Sequence, residues 1–390
     1  MVNKHNLGIV IVVVLASSIC CLGADDQTLW AGTAKADITD YSGGPVHDPL
    51  FVKALVLRNK KETIVLLTVD AVSIGEIGRI GNDFLPNLKK KLKEEHLIEP
   101  SKVLINASHC HGIIMRQGLE EKIVSIVQHA LKHLVPVTVG IGIGEEKEVQ
   151  ENRRLTLKSG KVIDVRHAYS LPADDEVASA GPIDPQIGIL RLDRRDHSTL
   201  AIVYNFACHP IQGIPGGANT ADLVGYASRV IESAYGDHTM ALFLQGCGGD
   251  INPANYKDVH HPRHAESLGN KLGLSTVRAS KKIQCKATSE LRLFNETIDL
   301  PRGDRTERIL QLEAEKQGLV NSLKGTSLNL KTFLNLMIKY KISPTYPSAD
   351  AHRYLQEKLQ NLGPLNSLDR ENLRHLEAYR RNTQTMEQIT

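Results

Sequence analysis

Two histidines separated by one residue are the first feature of this sequence that suggests chemistry. His109 and His111 lie in the segment Ala107-Ser-His-Cys-His-Gly112, directly after an apolar run that is typical of a buried strand. If the strand continued through them, both side chains would point to one face, because side chains alternate along a strand. Two imidazoles on one face can bind a metal ion or act as an acid–base pair. A single His-x-His motif is a structural or surface feature about as often as it is a functional site.

A third histidine ends a second apolar run. The segment Asn205–Pro210 places His209 immediately before a proline, which ends a strand and holds the preceding residue extended. A histidine at this strand end allows three imidazoles to converge. Zinc commonly takes such nitrogen ligands and keeps one position open for water, and that water ionises near neutral pH and becomes a nucleophile.

A glycine-rich run follows a third apolar segment. Within Phe243–Pro253, glycines let the backbone approach a ligand closely, while Asp250 and Asn252 are two residues apart and could both face a site. Taken alone, the run is better explained as a turn between a strand and a helix.

Cys110 and Cys208 each adjoin a candidate histidine. A mixed cysteine–histidine zinc site and a cysteine–histidine nucleophile pair are both conceivable. Because side chains alternate along a strand, a cysteine and the histidine next to it would point to opposite faces. The favoured interpretation is therefore small buried residues or a disulfide.

Strands and helices alternate along the chain and must position these groups. They are predicted from two different patterns of apolar residues. Apolar runs predict strands at 50–57, 63–69, 103–107, 137–143, 187–192, 199–207 and 240–244, and 290–300 alternates like a further strand. Helical spacing predicts helices at 82–95, 119–134, 224–235 and 265–280. This order predicts a layered α/β catalytic domain with a mixed sheet over residues 30–300, and residues 301–390 as a helical C-terminal extension of it.

Composition excludes some partners and suggests a destination. The 390 residues carry a formal charge of only +3, which gives no reason to expect a nucleic-acid partner. Lys4, the apolar run 7–22 and small residues up to Gly23 form the pattern of a secretory signal peptide over residues 1–23. We therefore expect export to the periplasm, the cell surface or the medium, with an uncleaved membrane anchor as the alternative.

Taken in order, these segments resemble the neutral, non-lysosomal ceramidase family, specifically its N-terminal catalytic domain. The resemblance spans roughly residues 30–300 and rests on seven motifs. They are Gly32–Thr39, Ser108–Gly112, Asn152–Arg154, Asp184–Arg191, Asn205–Pro210, Thr220–Gly225 and Gln245–Pro253.

The resemblance implies hydrolysis of the N-acyl bond of a lipid such as ceramide, with one zinc ion. It implies that His109 and His209 are zinc ligands and that His111 lies beside the metal and assists substrate binding or proton transfer. Arg153 would bind the polar end of the substrate, and peripheral contact with a membrane is an expectation for a lipid-like substrate. Asp250 and Asn252 fall in the family's Gly-Asp-x-Ser-Pro motif, where Asn252 replaces a serine that is important for activity. An asparagine can orient water or stabilise an oxyanion, but it cannot be a nucleophile.

Two further departures concern the C-terminal part. The glutamate and tyrosine that complete the family's zinc shell are not recognisable before Thr390, and there is no room for the family's C-terminal immunoglobulin-like domain. We therefore expect a C-terminally shortened chain. Three hypotheses follow: a zinc amidase, a non-catalytic or weakly active binding protein that retains the fold, and a zinc esterase or deacetylase.

Overall fold

The computed structural model describes residues 28–165, 172–213, 219–236, 238–256, 264–296, 299, 304, 306–323 and 381. The predicted signal peptide at 1–23 lies outside these residues, as does most of the predicted helical extension. Within that extension the structure describes one helix, α5 (Thr306–Leu323). None of the described helices is both long enough and apolar enough to cross a membrane.

Fourteen strands and five helices form the described chain, in the order that the sequence predicts for an α/β domain. The strands are β1 (Leu29–Asp37), β2 (Phe51–Arg58), β3 (Thr63–Val69), β4 (Val103–Ala107), β5 (Val135–Glu145), β6 (Gln150–Asn152), β7 (Arg154–Leu157), β8 (Val162–Asp164), β9 (Val177–Ala180), β10 (Gln186–Arg194), β11 (Thr199–Phe206), β12 (Met240–Gln245), β13 (Ile251–Pro253) and β14 (Lys286–Ala287). The helices before α5 are α1 (Phe84–His96), α2 (Leu119–Lys132), α3 (Asp222–Tyr235) and α4 (Ala265–Ser280).

One mixed sheet of nine strands organises the domain. Its order is β12-β11-β10-β5-β1-β2-β3-β4, with β14 paired to β5, and two smaller sheets join β13 to β6 and β7 to β8 and β9. The predicted α/β class with a mixed sheet is confirmed. The predicted strand at 290–300 is wrong for the described residues 290–296. These residues pair with no strand in the described chain, and the nearby Ser289 carbonyl instead accepts a hydrogen bond from the Asn59 side chain.

The sheet is bent, so that its two halves pack face to face with helices outside them. On the outer faces, one apolar core joins β1–β4 to α1 and α2, and another joins β10–β12 to α3 and α4. A third core lies between the halves and contains Leu55, Leu66, Leu192, Val203 and Leu242. The layers are therefore helix, sheet, sheet and helix, which explains why strands on both halves are apolar on both faces.

Polar side chains close the seam where β12 meets the first half of the sheet. The Asn106 side chain on β4 donates to the Phe243 carbonyl and accepts from the Gln245 amide, each at 3.3 Å. Lys53 on β2 donates to the Ala241 carbonyl at 2.7 Å and pairs with Glu232. These contacts bring the ends of β4, β11 and β12 to one corner of the molecule, where all three predicted functional segments begin.

Candidate metal centre

Three imidazoles converge at this corner. The ring nitrogens of His109, His111 and His209 that could bind a metal lie within 4.8 Å of one another. The ring centroids of His109 lie 5.2 Å from those of His111 and 4.4 Å from those of His209. The structure therefore brings together all three histidines that the sequence singles out.

His109 reaches the cluster by a route that differs from the predicted strand. β4 ends at Ala107, and His109 has a φ of 62°, in the left-handed region that few residues other than glycine adopt. The expectation that the strand continues and aligns His109 with His111 is wrong. The chain leaves the extended conformation there, and the His109 Nδ1 lies 2.6 Å from the Val72 carbonyl oxygen. Backbone strain of this kind is often found at functional sites.

The glycine-rich run holds His209 from the other side. The His209 amide donates to the Ile251 carbonyl at 2.9 Å, and its Nδ1 lies 3.3 Å from the Gly248 carbonyl. A Cβ on Gly248 would lie 3.1 Å from the Cys208 carbonyl carbon and 2.8 Å from the side-chain Nε2 of Gln245. The run is thus a tight turn, as predicted, but it joins β12 to β13 rather than a strand to a helix. Its glycines let the backbone come close enough to support His209.

These carbonyl contacts fix the tautomers of two rings. A carbonyl oxygen can only accept a hydrogen bond, so Nδ1 carries the hydrogen in His109 and His209 and each Nε2 presents a lone pair. The His111 Nε2 lies 3.2 Å from the His209 Nε2, where it can donate to that lone pair in the absence of a metal. The cluster therefore offers two oriented nitrogen ligands and a third, more exposed one.

The surroundings of His209 and His111 favour the neutral form of these two rings. Burial lowers the pKa of His209 to about 4, and positive charge on His109, His111 and Arg153 lowers it further. Burial also lowers the pKa of His111, with a contribution from His109. Neutral imidazole is the form that binds metals, so these two residues need not lose a proton near neutral pH.

In the metal-free protein, we expect the free energy of unfolding to rise with pH between about 4 and 6.5. Unfolded His209 takes up a proton below its ordinary pKa of 6.5, whereas the folded residue does so only near 4, so the unfolded state holds more protons in this window. Urea denaturation with a chelator, across this pH range, measures the slope. His209→Gln should flatten it and His129→Gln should not. An equal slope in wild type and His209→Gln would contradict the assignment.

Cys110 and Cys208 point away from the cluster. Both are fully buried in the outer-face cores and neither forms a disulfide. Burial raises the pKa of both thiols, which keeps them protonated. The favoured interpretation as small buried residues is confirmed, and the disulfide, the mixed zinc site and the nucleophile pair find no support here.

Arg153 and Asp250 are joined through their backbones, but their side chains form ion pairs with different partners. The Arg153 amide donates to the Asp250 carbonyl, and the Arg153 guanidinium pairs with Asp164 at 2.8 Å. The Asp250 carboxylate instead pairs with Arg154 at 3.2 Å. Arg153 is close enough to lower the pKa of His209, whereas Asp250 is engaged in holding the β6–β7 connection. Their roles in substrate binding and catalysis stay predictions.

Asn252 lies on β13, opposite Glu151 of β6. It has no exposed surface, and in the described part of the chain neither its side-chain oxygen nor its nitrogen has a hydrogen-bond partner. A buried amide without partners is rare and costs free energy. In this conformation the side chain has no exposed surface that a substrate could contact. Its catalytic role stays a prediction.

Replacing Asn252 with leucine is expected to stabilise the protein by about 1 kcal/mol or more. The change removes two unpartnered buried polar atoms and keeps a side chain of similar shape, which is neutral or stabilising when no hydrogen bond is lost. Thermal and urea denaturation measure the effect. Asn252→Asp, which would place a charge there, should destabilise strongly. A loss of stability in Asn252→Leu would show that a bound water satisfies the amide.

Asp222 was recognised in the sequence only as part of a motif, without a role. It is fully buried at the start of α3 with a φ of 58°, and its carboxylate accepts from the Gly213 amide at 2.7 Å and the Leu223 amide at 2.8 Å. It thereby fixes the loop that follows His209. An aspartate just before the predicted helix at 224–235, in the segment that follows a candidate ligand, is the signal that could have found it.

Comparison with known proteins gives a structural likeness only. No protein-family model matches the sequence, and a search of the curated proteins finds no match. The crystal structure of neutral ceramidase from Pseudomonas aeruginosa is 17% identical and has a TM-score of 0.51, with 66% of this chain and 45% of that chain covered. A structure of a ceramidase complexed with C2 is also 17% identical, has a TM-score of 0.50 and covers 66% and 44%.

This chain spans less than half the length of either ceramidase. At 17% sequence identity, this structural similarity is evidence for the arrangement of the backbone and not for activity. The ceramidase-type fold that the seven motifs predict is confirmed over the aligned part: this chain has the fold of the neutral ceramidases.

Proposed function

We propose that this protein is an exported zinc-dependent hydrolase that cleaves the N-acyl bond of a lipid-like substrate. The convergence of His109, His111 and His209 is the observation that carries the proposal. The fold supports the reaction class, because the similar solved structures are ceramidases. The apolar N-terminal run is the only support for export.

The three imidazoles fit zinc. Nitrogen ligands bind zinc at about 2.0–2.1 Å, so two of them on a tetrahedral ion lie about 3.4 Å apart. The 3.2 Å between the Nε2 atoms of His111 and His209 is close to that value. We assign all three histidines as ligands, whereas the sequence resemblance alone assigns His109 and His209 and leaves His111 beside the metal.

When bound, zinc supplies a Lewis acid that polarises an acyl carbonyl and lowers the pKa of a water. The protein's own residues then have separate tasks. His109 and His209 are held in one tautomer by backbone carbonyls. His111, the third ligand, is the most exposed of the three and lies on the solvent side of the cluster. Arg153 brings a positive charge that suits the polar end of a substrate.

Metal content and turnover, measured together, test the proposal. Protein purified without chelator should contain about one equivalent of zinc, as expected for one mononuclear catalytic site. It should also hydrolyse a short-chain fluorescent ceramide. His109→Ala should lose both properties, and His129→Ala, which removes an exposed histidine outside the cluster, should keep both.

Each outcome separates the hypotheses. Zinc bound without turnover of amides or esters would favour the binding protein. Cleavage of acyl esters but not of acyl amides would favour the esterase. Absence of zinc on purification, with none taken up afterwards, would overturn the proposal. Equal turnover by wild type and His109→Ala would rule out zinc chemistry at this site.

A further inference from the structure

His111 is held differently from the other two candidate ligands. Backbone carbonyls orient the rings of His109 and His209, whereas the described structure gives the His111 ring one hydrogen-bond partner, the His209 ring itself. The segment 108–113 that carries His111 belongs to no helix or strand. The position of this ring therefore depends on what holds the backbone of that segment.

The side chain of Asn219 holds this backbone two residues after His111. The Ile113 amide donates to the Asn219 Oδ1 at 2.7 Å, and the Asn219 Nδ2 donates to the Ile113 carbonyl at 3.3 Å and to the Asp40 carbonyl at 3.2 Å. One amide side chain thus binds both backbone groups of Ile113, as a neighbouring strand would. A carboxylate cannot do this because it only accepts, and an aliphatic side chain neither donates nor accepts.

The backbone of Asn219 is fixed in turn by the connection between β1 and β2. Its amide donates to the Pro45 carbonyl at 3.1 Å, and its carbonyl accepts from the His47 amide at 2.9 Å. The residue is buried, and each of its four polar groups has a partner. The hydroxyl of the next residue, Thr220, donates to the buried carboxylate of Asp48. Asn219 is therefore anchored by contacts that do not involve the metal.

Asn219 lies on the chain segment that leads from His209 to α3. This segment packs directly against the backbone after His111: a Cβ on Gly112 would lie 2.5 Å from the Thr220 carbonyl oxygen and 3.2 Å from the Asn219 Oδ1. Only a glycine permits so close an approach of the two segments. The same contact therefore joins the segment that carries one ligand to the segment that carries another, and the two Nε2 atoms lie 3.2 Å apart.

We infer that Asn219 is a positioning residue that sets His111 at the distance from His209 that a shared zinc ion requires. This inference rests on the proposed function and adds to it a residue that acts through backbone contacts. Without the Asn219 side chain, the Ile113 amide would lose its acceptor, and the segment 108–113 would adopt more conformations. The third ligand would then have to be ordered when zinc binds, which lowers the affinity.

A double-mutant cycle on zinc affinity, measured by competition with a chromophoric chelator, tests the inference. Asn219→Ala should weaken zinc binding about tenfold, the lower end of the effect of losing a contact that supports a ligand. In the His111→Ala background the same substitution should have little further effect, because the ligand that it positions is already gone. Tyr204→Phe removes a buried hydroxyl that lies 2.9 Å from the Ser228 hydroxyl, outside the ligand segments, and should leave zinc affinity unchanged. Asn219→Ser, which keeps a short polar side chain, replaces Asn219→Ala if that variant does not fold.

Contacts between the two rings in the metal-free protein separate failure of this inference from failure of the proposed function. If wild type takes up no zinc, the proposed function fails, and the inference is tested by nuclear Overhauser effects between the His111 and His209 rings, whose centroids lie 5.3 Å apart. Loss of these effects in Asn219→Ala but not in Tyr204→Phe would support the inference. Zinc affinity that Asn219→Ala leaves unchanged, equal losses of affinity in both backgrounds, or ring contacts that persist in Asn219→Ala would overturn it.

Discussion

Replacing His209 with alanine is expected to lower the zinc affinity of this protein by at least about 100-fold, since loss of a mere supporting contact to a ligand already costs about 10- to 100-fold. His209 is one of the two ligands whose Nε2 is oriented by a backbone carbonyl. The two histidines that remain, both on the β4 side, would hold a metal weakly. Hydrolysis should fall with zinc occupancy.

Calorimetric titration with zinc and hydrolysis of short-chain ceramide measure these effects. His111→Ala should weaken zinc binding less than His209→Ala, because no backbone carbonyl orients its ring in the described structure. His129→Ala serves as the control for loss of an unrelated histidine. Undiminished zinc affinity in His209→Ala would place the metal elsewhere and refute the assignment of the centre.

Replacing Asp222 with alanine is expected to destabilise the protein by about 2–4 kcal/mol. The change removes two hydrogen bonds, together worth about 3–6 kcal/mol for a charged acceptor, and leaves the Gly213 and Leu223 amides without acceptors. Burial of the carboxylate, which raises its pKa, costs free energy that offsets part of this gain. Alanine also tolerates the positive φ at this position less well than aspartate. Because the freed loop follows His209, zinc affinity should fall as well.

Urea denaturation and zinc titration together measure the Asp222 effect. Asp222→Asn tolerates the same backbone conformation and keeps one acceptor, so its loss of stability should be smaller than that of Asp222→Ala. If both variants were as stable as wild type, the buried carboxylate would not be what orders the loop.

Local patterns were sufficient to predict most of the elements. The predicted helix at 265–280 is α4, and the predicted strand at 63–69 is β3. Helix α4 shows a period of 3.6 residues because one of its faces is buried, and β3 is a continuous apolar run because both of its faces are buried. The stretch 290–296 failed because alternation describes a residue pattern but not the presence of a neighbouring strand to pair with.

The turn at His109 was not predictable from local pattern. Nothing in Ser108–Gly112 indicates a residue at φ 62° or a contact with Val72, 37 positions earlier. Such a conformation is maintained by surrounding structure rather than by local preference. The burial of Asn252 was equally hidden, because its partner strand, β6, is three residues long and polar.

Residue types and their order are enough to predict which side chains could bind a metal: three histidines that follow apolar strands, with a cysteine next to each of the two segments. That these histidines meet depends on how the sheet closes. β4 lies at one edge of the nine-stranded sheet, and β11 lies next to the other edge. The bend of the sheet, sealed by Asn106 against β12, brings those distant ends together. No local pattern encodes that closure, because it follows from burying the inner faces of both halves against each other.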